Sequence, residues 1–321
     1  MTAKCDSKKL PKMEKLLFET FLPSSCGDTS TAPVVFILAS PRTGSTFLYQ
    51  SLVAALGLPY FDNNTNEHFA ETPMIGLTIR AAIGDVPISF ESSFGKTGGA
   101  WQPSEASAIM TNWFGGGHPS ETVSARIQEG KLSHIVKTFQ SAYALFSKPF
   151  LIKNAWNCFR VQQIREIFPN AAFIWLKRDI ADAASSDLAA RYVTKGDPLA
   201  WNSATPRNYD DLLKRPYYEQ VVENQYEFGR ALSESLNDLP SQRFVEVWYE
   251  DLKQDFEGEI RRIASSIDCL TGVSVTPPSG RGVLNSGASG RKTWAMPTSD
   301  VDLIKRYVET NGDRLASLRF L

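Results

Sequence analysis

Val34-Val35-Phe36-Ile37-Leu38-Ala39-Ser40-Pro41-Arg42-Thr43-Gly44-Ser45-Thr46 opens with five apolar, mostly β-branched residues. Such a run suits a strand buried on both faces, as in a parallel sheet. Apolar residues then recur at Phe47, Leu48, Leu52, Val53, Ala55 and Leu56, the spacing of a helix that Gly57 and Pro59 end. The unit reads strand–loop–helix. Exposed N–H groups and the helix dipole make such a loop an anion pocket. Gly44 lets a ligand come close to the backbone, Ser45 and Thr46 add hydroxyl donors, and Arg42 brings a fork of charge suited to phosphate or sulfate. The physics is that of a P-loop, but the G-x-x-x-x-G-K-[ST] spelling is absent.

Working outward, a second buried run, Ala172-Phe173-Ile174-Trp175-Leu176, leads into Lys177-Arg178-Asp179 and a helix bearing Ser185 and Ser186. Side chains at the carboxyl edge of a parallel strand face the ligand crevice of open α/β sheets. Arg178 and Ser186 are eight positions apart, a spacing that can bring both to one anion. Further strands are expected at Phe150–Ile152 and Phe244–Trp248, with helices starting near Ser104-Glu105 and covering Val161–Phe168, Tyr217–Leu236 and Phe256–Ile267, and a last one from about Ser299. Strands alternating with helices predict an α/β fold, a central parallel sheet flanked by helices. Residues 1–32 read as an N-terminal arm and 33–321 as one domain, with a loop-rich acceptor-binding insertion at about 60–145.

Composition narrows the function. The 321 residues are 42% hydrophobic and 21% charged, an ordinary globular balance. Thirty-four basic against 35 acidic residues give a net charge of −1, so no global field exists for nucleic acid and none is expected as a partner. No apolar run is long enough to span a membrane, and the polar, Lys-containing start lacks signal-peptide character. Four scattered cysteines and three histidines, in no ligand-like spacing, predict reduced thiols, a cytoplasmic location and no metal.

The two anion sites, in this spelling and order, resemble the sulfotransferase family that uses 3′-phosphoadenosine 5′-phosphosulfate (PAPS). In that family a Pro-[Lys/Arg]-x-Gly-[Ser/Thr]-Thr loop holds the 5′-phosphosulfate, here Pro41 with Arg42, Thr43, Gly44, Ser45 and Thr46. The resemblance assigns Arg178 and Ser186 to the 3′-phosphate. Phe168-Pro169-Asn170-Ala171 and Tyr249-Glu250-Asp251-Leu252 match further family segments, the latter read as structural. Gly290-Arg291-Lys292-Thr293 is similar to the loop that closes over the nucleotide, with Thr293 replacing a glycine, which makes Arg291 and Lys292 further candidate donor ligands. The implied reaction moves SO3 from PAPS to a hydroxyl, leaving adenosine 3′,5′-bisphosphate.

Arg42 and Lys153, which follows the strand at Phe150, are the candidates for neutralising leaving-group charge, although Lys153 at a strand end also suits a plain salt bridge. A hydroxyl acceptor needs a general base. Glu67 resembles the catalytic Glu of the saccharide-sulfating branches; His68 is second and His118 third. The Lys-x-His arrangement of the small-phenol branch has no counterpart, since Phe139 stands at its histidine. Phe69, Phe94, Trp101, Glu105, Trp113 and His118 are candidate acceptor contacts, because aromatic platforms beside polar groups suit a sugar or an apolar alcohol. His134 reads as part of a buried element, and Gly95-Lys96-Thr97 only imitates the end of a P-loop. A saccharide or glycoconjugate is the first acceptor expectation and a small lipid or polyketide-like alcohol the second. The rivals are a P-loop kinase or NTPase, for which the Gly-Lys-Ser/Thr and an Mg²⁺-binding strand-end Asp are missing, and a non-catalytic nucleotide-binding protein.

Overall fold

The apolar runs assemble side by side. The computed structural model describes residues 9–22, 31–93, 95–116, 127–237, 239, 243–275 and 296–316. Its strands are β1 (Val34–Leu38), β2 (Ser92–Ser93), β3 (Lys96–Thr97), β4 (Phe150–Lys153), β5 (Ala172–Lys177) and β6 (Phe244–Trp248). Its helices are α1 (Leu10–Phe21), α2 (Ser45–Leu56), α3 (Asn63–His68), α4 (Pro73–Ile83), α5 (Ser107–Phe114), α6 (Lys131–Phe146), α7 (Val161–Ile167), α8 (Ile180–Lys195), α9 (Tyr209–Leu212), α10 (Tyr217–Asn237), α11 (Tyr249–Gln254), α12 (Phe256–Thr271), α13 (Thr298–Thr310) and α14 (Gly312–Ala316), with a 3₁₀ turn at Ala155–Phe159. Four strands form one parallel sheet in the order β4-β1-β5-β6, while β2 and β3 make a separate antiparallel hairpin.

Alternation along each strand divides the interior into two cores. Val34, Phe36 and Leu38 share one face with Phe150, Ile152, Phe173 and Trp175, covered by α6, α7, α8 and α10. Val35 and Ile37 share the other with Leu151, Ile174, Leu176 and Val247, covered by Leu48, Leu52 and Leu56 of α2 and Ile260, Ile263 and Ile267 of α12. Both faces of β1, β4 and β5 are buried, which is why their sequences are continuously apolar instead of alternating. The edge strand β6 has every second residue less buried.

The stretch before α5 departs from expectation. The helix begins at Ser107 instead of near Ser104. Ala106 adopts a left-handed conformation (φ 54°, ψ 35°), and residues 103–104 are pinned by a bridge from Pro103 to Asp62 and by Ser104 N–H on the Phe61 carbonyl (2.8 Å). Helical dihedrals cannot start until that pinning ends. Within the segment at about 60–145, expected to be loop-rich, an eleven-residue helix (α4) also forms. On the N-terminal segment, α1 packs Leu17, Phe18 and Phe21 on the first core, and its buried Glu14 accepts from Met74 N–H (3.0 Å). Glu14 also meets His134 Nε2 (3.0 Å), whose Nδ1 accepts from Trp113 Nε1 (3.0 Å). No helix among the described residues is long and apolar enough to cross a membrane.

Candidate active site

All four sheet strands deliver a polar residue at their carboxyl ends, the edge at which open α/β sheets bind ligands. From β1 comes the loop 39–44. Its carbonyls are taken by side chains: Thr43 Oγ1 donates to Ser40 O (2.8 Å), Gln225 Nε2 to Pro41 O (3.0 Å) and Arg178 Nη1 to Arg42 O (2.9 Å). No side chain caps α2, so the N–H groups of its first turn stay available to an anion. Arg42 itself has φ 68°, a left-handed conformation that costs a non-glycine residue about 1–2 kcal/mol. The Arg178 contact on its carbonyl is one of the interactions that hold it there.

Gly44 has φ 92°, and a Cβ at this position would run into the ring of Tyr249, the first residue after β6. The guanidinium of Arg178 lies over the same ring, 4.8 Å from its centroid. Tyr249 is therefore the floor under both the loop and Arg178. We expect Gly44→Ala to weaken binding of adenosine 3′,5′-bisphosphate at least tenfold by calorimetry, because strain and collision together displace the loop. Unchanged affinity would show that the loop is not part of the donor site.

Lys153, the last residue of β4, stands beside Ile37 of β1 and is 5% exposed. Its Nζ lies 3.4 Å from Thr46 Oγ1 and makes an ion pair with Glu105. Asn154 Nδ2 holds the Glu105 carbonyl (2.9 Å). Thr46 Oγ1 also donates to Gly95 O (3.4 Å), which brings the tip of the β2–β3 hairpin onto the loop. From β5 and α8, Arg178 and Ser186 do not touch each other directly. They flank Arg42, whose Nη2 donates to Ser186 Oγ (3.4 Å). Behind Ser186 lies Asp187, fully buried, with its Oδ2 accepting from Ser203 Oγ (3.0 Å). Burial raises the Asp187 carboxyl, and Arg191 and Arg42 pull it back; burial lowers Arg42, and Asp187 opposes this.

These residues fit an anionic ligand with two charged ends. Four cations (Arg42, Lys153, Arg178, Arg191) converge with three carboxylates (Glu105, Asp182, Asp187). Arg178 Nε is buried with no hydrogen-bond partner among the described residues, which suits it to take a ligand oxygen. Among the described residues no group of His, Cys, Asp and Glu side chains is placed to hold a metal ion.

The remaining candidates are dispersed. Glu67 and His68 lie exposed in the last turn of α3, and no hydrogen bond or ion pair among the described residues joins them to Arg42, Lys153 or Arg178. Phe69 and Trp101 are half-buried, and the Trp101 carbonyl accepts from Tyr60 Oη (2.8 Å). Trp113 is 1% exposed and packs edge-on to Phe61 within the first core, its N–H already taken by His134, so it offers no face to an acceptor. Phe94, His118, Arg291 and Lys292 lie outside the described residues. Asp187, Gln225 and Tyr249 went unrecognised in the sequence as parts of the site. One signal was present: Asp187 and Arg191 occupy i,i+4 positions in a helix stripe otherwise filled by Ala183, Ala184, Leu188 and Ala190. A cavity of about 700 Å³, bordered by Arg165, Phe168, Phe173 and Arg243, lies at the opposite, amino edge of β5 and β6 and is separate from this cluster.

Comparison with known proteins gives a consistent answer. A family model described as the sulfotransferase family matches residues 33–270. Omega-hydroxy-beta-dihydromenaquinone-9 sulfotransferase Stf3 of Mycobacterium bovis is 30% identical over 128 residues, covering 39% of this chain and 30% of that protein; the Mycobacterium tuberculosis protein of the same name matches equally. The chain thus matches less than a third of the length of these curated relatives. The crystal structures of sulfotransferase STF9 from Mycobacterium avium and STF1 from Mycobacterium tuberculosis H37Rv each give a TM-score of 0.50 at 15% identity. They cover 88% and 92% of this chain and 78% and 80% of their own, a likeness of fold.

Proposed function

This chain belongs to the sulfotransferase family, and we propose that it moves the sulfuryl group of PAPS to the hydroxyl of a lipid-like alcohol. One observation carries the donor half of this reading: Arg42, Lys153, Arg178 and Ser186 converge from three different strand ends on the uncapped start of α2. In the proposed reaction the N–H groups of residues 43–46 and Arg42 hold the phosphosulfate, and Lys153 neutralises the oxygen that leaves with adenosine 3′,5′-bisphosphate. Arg178 and Ser186 take the 3′-phosphate, which asks Ser186 to exchange its contact with Arg42 for the nucleotide. Arg291 and Lys292 are proposed to close over the same phosphate. Sulfuryl transfer, like phosphoryl transfer, depends on positioning and charge stabilisation, the tasks these groups suit.

For the acceptor, the lipid alcohol is favoured over the saccharide. The relatives' names specify an ω-hydroxylated menaquinone. The test incubates the chain with PAPS and either farnesol or N-acetylglucosamine, with mass detection of an added SO3 group. Sulfated farnesol is expected; transfer to the sugar alone would overturn the lipid reading. Calorimetry with adenosine 3′,5′-bisphosphate against ATP with Mg²⁺ tests the donor, and preference for ATP would return the P-loop NTPase reading.

A further inference from the structure

We propose that Glu105 is the base that takes the acceptor's proton, and that Lys153 holds it inactive until PAPS is bound. The inference rests on the sulfotransfer reading above and adds to it the proton acceptor and the order of events.

Three features place Glu105. Its carboxylate is ion-paired with Lys153, whose Nζ also lies 3.4 Å from Thr46 Oγ1 of the anion loop, so the carboxylate stands where the sulfuryl group must be handled. The next residue of β4's chain, Asn154, grips the Glu105 carbonyl, so one strand end fixes both its backbone and its charge. Ala106, immediately after it, is held at φ 54°. Left-handed non-glycine residues are uncommon, and two of the four among the described residues, Arg42 and Ala106, adjoin the same ion cluster. The exposure is unequal: the Lys153 side chain is 7% exposed and that of Glu105 is 34%. The lysine faces inward to the donor loop while the carboxylate remains open to an arriving hydroxyl.

The pairing cannot serve both purposes at once. With Lys153 against it, the Glu105 carboxylate is occupied by the ammonium instead of an acceptor hydroxyl. PAPS offers Lys153 a competing anion beside Thr46. When the lysine turns to the phosphosulfate, Glu105 loses its partner and its oxygens are free to accept from the acceptor's O–H. The step then balances: the O–H bond of the acceptor breaks, its proton goes to Glu105, and the acceptor oxygen forms a bond to sulfur. The bond from sulfur to the 5′-phosphate oxygen breaks, and that electron pair stays on the phosphate beside Lys153. Donor binding precedes acceptor activation.

Glu105→Gln tests both halves. The groups facing Glu105 are Lys153 from β4, Arg42 from the loop after β1 and the Tyr49 phenol from α2. Removing its charge frees Lys153, so calorimetric affinity for PAPS is expected to rise about fivefold. Turnover of farnesol falls about 10²–10³-fold. Glu67→Gln, by contrast, keeps wild-type turnover. Glu105→Gln turning over within threefold of wild type overturns Glu105 as the base, and unchanged PAPS affinity overturns its competition for Lys153. A wild-type chain that fails to bind PAPS overturns the donor reading instead, which keeps the two failures apart.

Discussion

Arg42→Ala is expected to lower turnover about 10²–10³-fold at saturating donor. The guanidinium reaches across to Ser186 Oγ at 3.4 Å, a distance at the outer limit of a hydrogen bond, and faces the buried Asp187 carboxyl. Its backbone is held separately, through Arg178 on the Arg42 carbonyl and Gln225 on the Pro41 carbonyl, and both survive truncation to alanine. Removing one fixed donor from a closed site that stabilises developing charge typically costs this much in rate. Arg42→Lys separates charge from shape: it restores the cation but not the planar fork, and is expected to recover only part of the loss. Initial-rate kinetics with farnesol at saturating PAPS measure both variants. Arg42→Ala with turnover within threefold of wild type would remove Arg42 from the chemistry.

The largest expected effect on stability is at Asp187. Asp187→Asn is expected to raise the melting temperature at neutral pH by a few degrees. Two effects oppose each other. The carboxylate is fully buried and costs desolvation when ionised, so its removal relieves a penalty. Against this, Arg191 is also fully buried and Arg42 lies close, and both keep charges that lose their counterion. The first effect wins, because burial outweighs the pull of Arg191 and Arg42 and leaves the carboxyl raised, so the fold favours its neutral form. Arg191 without its counterion still keeps Gln220 Oε1 (2.7 Å), Pro198 O (3.0 Å) and the face of Trp201. The pH dependence follows from the sign of the shift. Burial raises the folded-state pKa of Asp187, so as the pH falls the wild type acquires the zero charge of asparagine and the two melting curves converge. Thermal melts from neutral to acid pH measure this, and a constant or absent gap would contradict it.

The fold was legible in the strands. Val34–Leu38 and Ala172–Leu176 needed only their apolar continuity to be read as interior strands of a parallel sheet, because burial on both faces leaves no polar period. Arg42, Gly44 and Arg178 were legible for a related reason: a strand end followed by a helix start creates an anion site through local backbone geometry. The start of α5 was misplaced because Ala106 takes its conformation from Pro103–Asp62 and Ser104–Phe61 contacts, which leave no trace in local propensity.

Chain order alone thus establishes the parallel α/β scaffold and the anion loop at Arg42–Thr46, since both follow from side-chain burial and hydrogen bonding within a few residues. Folding in three dimensions selects the partners. Glu105 reaches Lys153 across 48 positions and Arg42 reaches Ser186 across 144, while Trp113, a plausible ligand platform on paper, is claimed by the core. Contacts between segments that far apart have no periodicity to announce them, and whether a carboxylate becomes a base or a counterion depends on which charge packing places beside it.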